Sequence, residues 1–227
     1  MSDIHDETYG HIVVKRSLKS KNIRLTVLTS GTLQVSAPIY TPLRFIKLFI
    51  KGSRTEIDHL MLHTLVTYAD GAIIGKSHKL TVARGATTRV EYKKPHILVV
   101  LSDGDSMKDI AVQQMIKPYV ATALRKEAKA YLPRRLEFLA GKFGYEYNKV
   151  RFSHAKSRWG SCSSDKTISL NIALMKLDFT LIDYVLIHEL VHTEEMNHSQ
   201  AFWVRVSEAD PFYKAHRKII KNNIPHI

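Results

Sequence analysis

The stretch 181–203, LIDYVLIHELVHTEEMNHSQAFW, limits what this chain can fold into more than any other. It contains His188, Glu189 and His192 in the pattern H-E-x-x-H. Residues four apart on a helix lie one above the other, so both imidazoles can reach a single ion. The glutamate beside the first histidine projects to the side, where it can address a water bound to that ion. Thr180 and Asp183 read as a Ser/Thr-x-x-Asp/Glu capping box, which predicts a helix starting just after Thr180. Leu181, Val185, His188 and His192 fall on one stripe, while Leu186, Ile187 and Leu190 fill the neighbouring faces. A helix apolar almost all round is buried. A buried helix that keeps two histidines and a glutamate needs a reason, and metal chemistry supplies one. The competing reading is two core histidines satisfied by hydrogen bonds beside a solvated glutamate.

A catalytic zinc takes three protein ligands and leaves one position for water. The third candidate is His198, which gives H-E-x-x-H-x5-H; Glu208 is the main alternative, and Glu194, Glu195, Asp210 and His216 also compete. Asn197 tolerates the left-handed conformation that ends helices, so it is a candidate for the turn that brings His198 back.

The length suits one large domain or two modest ones, and 44% hydrophobic residues are enough for a real core. The opening MSDIHDETYGH is polar, no apolar run reaches the ~18 residues of a membrane span, and a single cysteine suits a reducing compartment. These features read as a cytoplasmic protein without a membrane partner. The net charge is +13 and unevenly placed: residues 150–227 hold 10 Lys and Arg against 8 Asp and Glu, so residues 1–149 hold 24 against 13. An excess of that size attracts nucleic acid, a nucleotide or an acidic protein. Its simpler meaning is a solubilising surface.

In chain order, HIVVKRS, NIRLTVL and GTLQVSA (11–37) read as three short strands, with turns at 19–22 and 29–31. A helical stretch follows over 41–65, with Thr41 as cap, Pro42 in the first turn and Gly52 dividing it. AIIG, HKLTVAR, TRVEYKK and HILVVLS return to strands between Gly71 and Ser102. From about Ser106 a long apolar stripe marks a helix that Pro133 punctuates, with RRLEFLAGKFG as a second piece ending near Gly144. RFSHAKS and TISLNIAL then read as the two strands of a β-hairpin, with Gly-Ser-Cys-Ser-Ser-Asp as the turn between them. An exposed strand edge just before the metal helix can hydrogen-bond a peptide main chain and lay its carbonyl across the ion. The expected fold class is α+β: a strand-rich basic part over 1–105, then over 106–227 a zincin-like helical domain with a small antiparallel sheet and the H-E-x-x-H helix.

The segment SRWGSCSSDKTISLN, followed at a fitting distance by HELVHTEEMNHSQAFW, closely resembles the YgjP-like metal-dependent hydrolases, relatives of the SprT and WLM branch of zincin metallopeptidases. With GKSHKLTV near residue 75, the likeness extends over nearly the whole chain. It implies a Zn2+ site on His188, His192 and His198, with Glu189 as general base on the zinc-bound water. The chain departs from the family at IALMKLD, where members often carry tryptophan or arginine after Leu-Asn. The metzincin proteases share the x5 gap but have glycine where Glu195 stands and a methionine turn downstream, and no methionine follows Met196.

The reading that follows is a zinc metallopeptidase acting on peptide or protein. A second donor should help to stabilise the oxyanion, with Tyr213, His216, His154 and Arg158 as candidates. Asn197 and Ser199 flank His198 as possible outer partners, Trp159 and Trp203 are expected to pack in the core around the site, and Cys162 reads as a small buried turn residue. Two other functions stay open. One is a metal-dependent hydrolase of nucleotide phosphoanhydrides, with the basic N-terminal part neutralising phosphates. The other is a nucleic-acid-associated binding protein with a structural zinc.

Overall fold

The computed structural model describes residues 2–18, 20–28, 32–64, 67–155, 157–225 and 227. The chain is a mixed α/β protein, with a strand-rich N-terminal part, a helical C-terminal part and three small sheets. Its residues group into two compact units, 1–69 with 104–115, and 70–103 with 116–227.

In the first unit the three expected strands form as β2 (Gly10–Ser17), β3 (Arg24–Val27) and β4 (Leu33–Pro38). A further strand that the sequence reading missed, β1 (Ser2–Asp6), pairs antiparallel with β2. Polar residues alternate through β1 and hide it, but Ile4 turns inward and is buried. The sheet order is β1-β2-β4-β3, with β2 and β4 parallel. The expected turn at 29–31, Lys19 of the turn before it, and Leu65 at the end of the helical stretch lie outside the described residues. Gly52 does divide the helices, into α1 (Leu43–Gly52) and α2 (Arg54–Thr64). Thr41 is not the cap: the residue at that position is Pro42, which offers no side-chain oxygen. The core of this unit gathers Ile12, Val14, Leu33, Val35, Ile46 and Ile57.

The second unit opens with β5 (Ile73–Ile74), β6 (His78–Arg84), β7 (Arg89–Lys93) and β8 (His96–Leu101), in the order β5-β6-β8-β7 with β6 and β8 parallel. Helix α3 runs unbroken over Ile110–Phe143, with Pro118 and Pro133 inside it. The expected break at Pro133 does not occur. An internal proline costs about 3 kcal/mol, and the fully buried Val120, Leu124, Leu132 and Leu136 on one stripe hold the helix through it.

The segment before the H-E-x-x-H helix pairs differently from the expected hairpin. β9 (Lys149–Ser153) lies parallel to β11 (Thr167–Asn171), and β10 (Gly160–Cys162) forms within the run expected to be turn, antiparallel to β11. The sheet is therefore mixed, with β10 at one edge. Asp165 holds the tight corner by accepting from Ser163 Oγ at 2.5 Å and Thr167 Oγ1 at 2.9 Å. That leaves Gly160-Ser161-Cys162 extended. After a 3-10 turn (Ile172–Lys176) come α4 (Phe179–Val191), α5 (Gln200–Ala209) and α6 (Tyr213–Asn222). No described helix is long and apolar enough to cross a membrane.

Two polar ties hold α4 in this unit. Arg135 of α3 donates Nε and Nη2 to the Asp183 carboxylate at 2.8 and 2.6 Å. The second runs through Lys76, whose ammonium donates to the Leu177 carbonyl at 2.6 Å and lies 4.6 Å from the Phe179 ring centroid, at the entry to α4. Lys76 is itself held by Glu127, a buried carboxylate on α3. Glu127 accepts from the backbone N–H of Lys76 and Ser77, from the Ser77 hydroxyl and from His78 Nδ1, at 2.6–2.8 Å. Gly75 precedes this turn at φ 67°, and a Cβ there would collide with the same carboxylate. Burial alone would raise the Glu127 pKa; the hydrogen bonds from His78, Lys76 and Ser77 outweigh it and hold the group below the usual carboxylate range.

Removing the Glu127 carboxylate strands several buried donors at once. Glu127→Ala is therefore expected to lose about 3 kcal/mol or more of stability, measured by urea unfolding. A loss under about 1 kcal/mol would contradict this account of the turn.

Candidate metal centre

The side chains that matter come from α4, the loop after it and the start of α5. Tyr184, His188 and His192 are spaced by four and share one stripe of α4. The helix starts after Asp178, two residues earlier than the capping box suggested, and no side chain caps it. Asp183 cannot reach back because Arg135 holds its carboxylate. The helix ends at His192, and Glu195 N bonds to Val191 O at 2.9 Å in the turn beyond. Asn197 does not supply a left-handed residue: Lys166 is the one described non-glycine residue with positive φ. The return is instead made by the hydrogen-bonded turn 192–194 and by Ser199, which caps α5 by accepting from Phe202 N at 3.2 Å. His198 thus stands one residue ahead of a capped helix, facing α4.

The structure brings His188, His192 and His198 together. One ring nitrogen from each falls in a set whose members all lie within 4.8 Å of one another. His188 Nε2 and His198 Nε2 are 3.1 Å apart. Ligands at the ~2.0–2.1 Å zinc–nitrogen distance on a tetrahedron sit roughly 3.3 Å from each other, so this pair is already at ligand spacing. His192 Nδ1 lies 2.9 Å from the Glu195 carbonyl, which can only accept; the proton therefore sits on Nδ1 and the lone pair on Nε2. Beneath all three rings lies Phe202, fully buried, with centroids 4.9, 4.5 and 4.7 Å from His188, His192 and His198.

The competing ligands are engaged elsewhere. Glu194 pairs with Arg205 at 2.7 Å and Glu195 faces the same guanidinium at 3.9 Å. Asp210 accepts from His216 Nδ1 at 2.7 Å and from Phe212 N at 3.0 Å, tying the corner between α5 and α6. Glu208 is not among the clustered groups.

Glu189 is 5% exposed, and its Oε2 has no hydrogen-bond partner among the described residues. The same is true of His188 Nδ1, so two of the three unpartnered buried side-chain atoms among the described residues lie here. Each such atom costs about 1–3 kcal/mol; the Glu189 oxygen is placed to accept from a group held by the imidazoles, whereas His188 Nδ1 is the ring's other nitrogen, not the Nε2 that faces His198. Burial pushes Glu189 up to about 8, with Arg158 pulling the other way. Burial also pushes His188 down to about 3, helped by His192, His198 and Arg217. A pair of neutral, half-dry imidazoles facing a third is a donor set that suits zinc.

Glu189 can be where it is because residue 160 is glycine. A Cβ at Gly160 would come within 2.6 Å of Glu189 Oε1. Edge strand β10 therefore passes directly over the carboxylate. Beside it opens a cavity of about 190 Å3 lined by Trp159, Gly160, Tyr184, His188, Glu189 and Ile220. Trp159 is not a core residue as expected. It lines this cavity and donates its indole N–H to the Asn223 carbonyl at 3.2 Å. Trp203 is half-buried against His198. Cys162 lies in β10 rather than in a turn, and burial pushes its thiol up to about 11. Phe202, Tyr184, Gly160 and Ile220 had not been singled out. Spacing would have found two of them, since Tyr184 is four before His188 and Phe202 four after His198.

The raised Glu189 pKa has a definite sign. The folded, metal-free chain holds a proton on this group that the unfolded chain, near 4.5, gives up. That contribution is full below about 4.5 and is lost as pH rises towards 8. In chelator-treated protein, Glu189→Gln should therefore be more stable than the parent by a margin that grows from pH 5 to pH 8, measured by thermal unfolding. A margin independent of pH would contradict this.

A family model described as the YgjP-like metallopeptidase domain matches residues 21–223. No curated protein matches. Among solved structures, the metallopeptidase zymogen of Pyrococcus abyssi abylysin is similar at 29% identity, over 40% of this chain and 91% of that one, with a TM-score of 0.37. The family match spans most of the chain and takes in the imidazole cluster, the glycine-backed carboxylate and edge strand β10, so this chain belongs to the YgjP-like family of metallopeptidase domains.

Proposed function

We propose that the chain is a zinc-dependent peptidase in which His188, His192 and His198 hold the ion and Glu189 is the general base. The observation that carries the reading is the clustered imidazoles together with an unpartnered, buried carboxylate on the same helix. When bound, zinc would supply Lewis acidity: it would polarise a carbonyl and bring the pKa of a water towards ~7.

The remaining steps belong to the chain's own residues. The His192 proton stays on Nδ1, donated to the Glu195 carbonyl, which keeps Nε2 free. Glu189 Oε2 accepts the proton of the attacking water and returns it to the leaving amine. Charge on the nearby cation would bring its pKa back down from the metal-free value, as an adjacent positive charge does for any carboxylate. Gly160 keeps that carboxylate against β10, and the free edge of β10 receives the main chain of an extended peptide. The cavity beside Glu189 is walled by Trp159, Tyr184 and Ile220, so it suits an apolar side chain next to the scissile bond. Tyr184 stays protonated, its pKa pushed up to about 12 by burial, so it can donate but not ionise. Peptide or protein is accordingly the proposed substrate. The phosphoanhydride and nucleic-acid readings draw on the basic excess alone.

The test is a peptide library incubated with zinc-loaded protein. Turnover should appear, vanish with chelator and return with Zn2+. Glu189→Gln should retain the metal and lose roughly 10²- to 10⁴-fold in kcat. Turnover by the variant at the parent rate would remove Glu189 from the role. Gly160→Ala should push the carboxylate out of place and lower kcat with little change in metal content; parent-level kcat would show that the close approach is dispensable.

A further inference from the structure

Of the three clustered histidines, His198 is the least well held. It is exposed and lies in a loop outside the helix that carries the other two. Ligating histidines are normally oriented by donating their second ring nitrogen to a carboxylate or carbonyl. His192 has such a partner, in the Glu195 carbonyl. Among the described residues nothing accepts from His198 Nδ1; its one hydrogen-bond contact is His188 Nε2. An exposed imidazole with two rotatable bonds and no outer partner would sweep a wide arc.

Phe202 meets it near-perpendicular from below at 4.7 Å, and what fixes the plane of the ring is a stack on its other side. Trp203 lies parallel to His198, with centroids 5.5 Å apart and an interplanar angle of 20°. Trp203 is in turn stacked on Tyr213 of α6, at 5.7 Å and 19°. The Arg217 guanidinium carbon, one turn further along α6, stands 4.2 Å from the Trp203 ring centroid. Helix α6 keeps its place through the Asp210–His216 bond at its start and through Ile220 over the cavity. The restraint on His198 therefore begins in the C-terminal helix.

We infer that Trp203, backed by Tyr213 and Arg217, is the positioning residue for His198, and that stacking does here what a hydrogen bond does for His192. The inference rests on the reading of His198 as a zinc ligand. Parallel stacking fixes the plane of the imidazole and leaves both of its nitrogens free to point, which suits a ligand that must swing in from a loop. Stacked aromatic pairs and a guanidinium over an indole each add a modest increment. Together they narrow the arc of His198 to the side that faces His188. Tyr213 and Arg217 would then govern metal affinity without touching the metal.

The test measures Co2+ and Zn2+ affinity by chelator competition, the Co2+ visible absorption, and the unfolding midpoint of the metal-free protein. The parent should bind one equivalent. Trp203→Leu should bind roughly 10- to 100-fold more weakly, with a weaker and shifted Co2+ band, and Trp203→Phe should recover most of the loss. Tyr213→Leu with Arg217→Met should bind roughly 2- to 10-fold more weakly while leaving Trp203 itself in place. The metal-free midpoint of this double variant should stay within about 3 °C of the parent. Unchanged affinity in Trp203→Leu overturns the inference. If Trp203→Leu fails to fold, the double variant decides: parent-level affinity overturns the inference and weaker binding upholds it. A parent that binds neither ion overturns the zinc reading itself, which is a different result from a parent that binds and variants that match it.

Discussion

The fold of the second unit is organised by the cost of keeping His188 and Glu189 inside it. Both sit on a helix whose other faces are packed with Leu186, Ile187, Leu190 and Val191. Among the described residues, neither the Glu189 Oε2 nor the His188 Nδ1 has a hydrogen-bond partner. Buried polar atoms in that state weaken a protein, and the surroundings explain why the helix survives. Asp183 is clamped by Arg135, the helix entry is clamped by Lys76, and Lys76 is set by the Glu127 turn. Strands β5 to β8 therefore serve the site even though they contribute no residue to the imidazole cluster.

The same economy appears on the side of β10. Gly160 lets an edge strand run over the base, and the absence of a single Cβ joins the proposed peptide ledge to the proposed proton acceptor. On the opposite side, Phe202 gives the three imidazoles a common floor, so their rings are spaced by one side chain. Helix α6 closes the arrangement by loading Trp203 and by roofing the cavity with Ile220. In this architecture few groups address the centre directly, and most of the polar chemistry goes into holding them still.

Much of this was legible in the sequence because it depends on short-range periodicity. The fourfold spacing of His188 and His192, the apolar faces of α4, the alternation in β2 and β4 and the continuous apolar run of β8 are local patterns that survive folding unchanged. What was not legible depends on partners far along the chain. The capping box at Thr180 failed because Arg135, 48 residues upstream of Asp183, takes the carboxylate. Pro133 did not break α3 because burial of Leu132 and Leu136 outweighs a local preference. The hairpin was mis-paired because Gly160-Ser161-Cys162 carries turn residues yet pairs as a strand with β11, which leaves β9 to run parallel along the other edge of β11. His198 was reachable from spacing, but the device that orients it was not, since stacking between Trp203 and Tyr213 leaves no mark in either residue's neighbours.

The most direct measurement is X-ray absorption at the zinc edge on protein loaded with one equivalent of Zn2+. The account predicts a first shell of three imidazole nitrogens and one oxygen at about 2.0–2.1 Å, with the imidazole scattering reduced by one ligand in His198→Ala. A sulfur at about 2.3 Å, which would bring in Cys162, or an imidazole signal unchanged by His198→Ala, would contradict it.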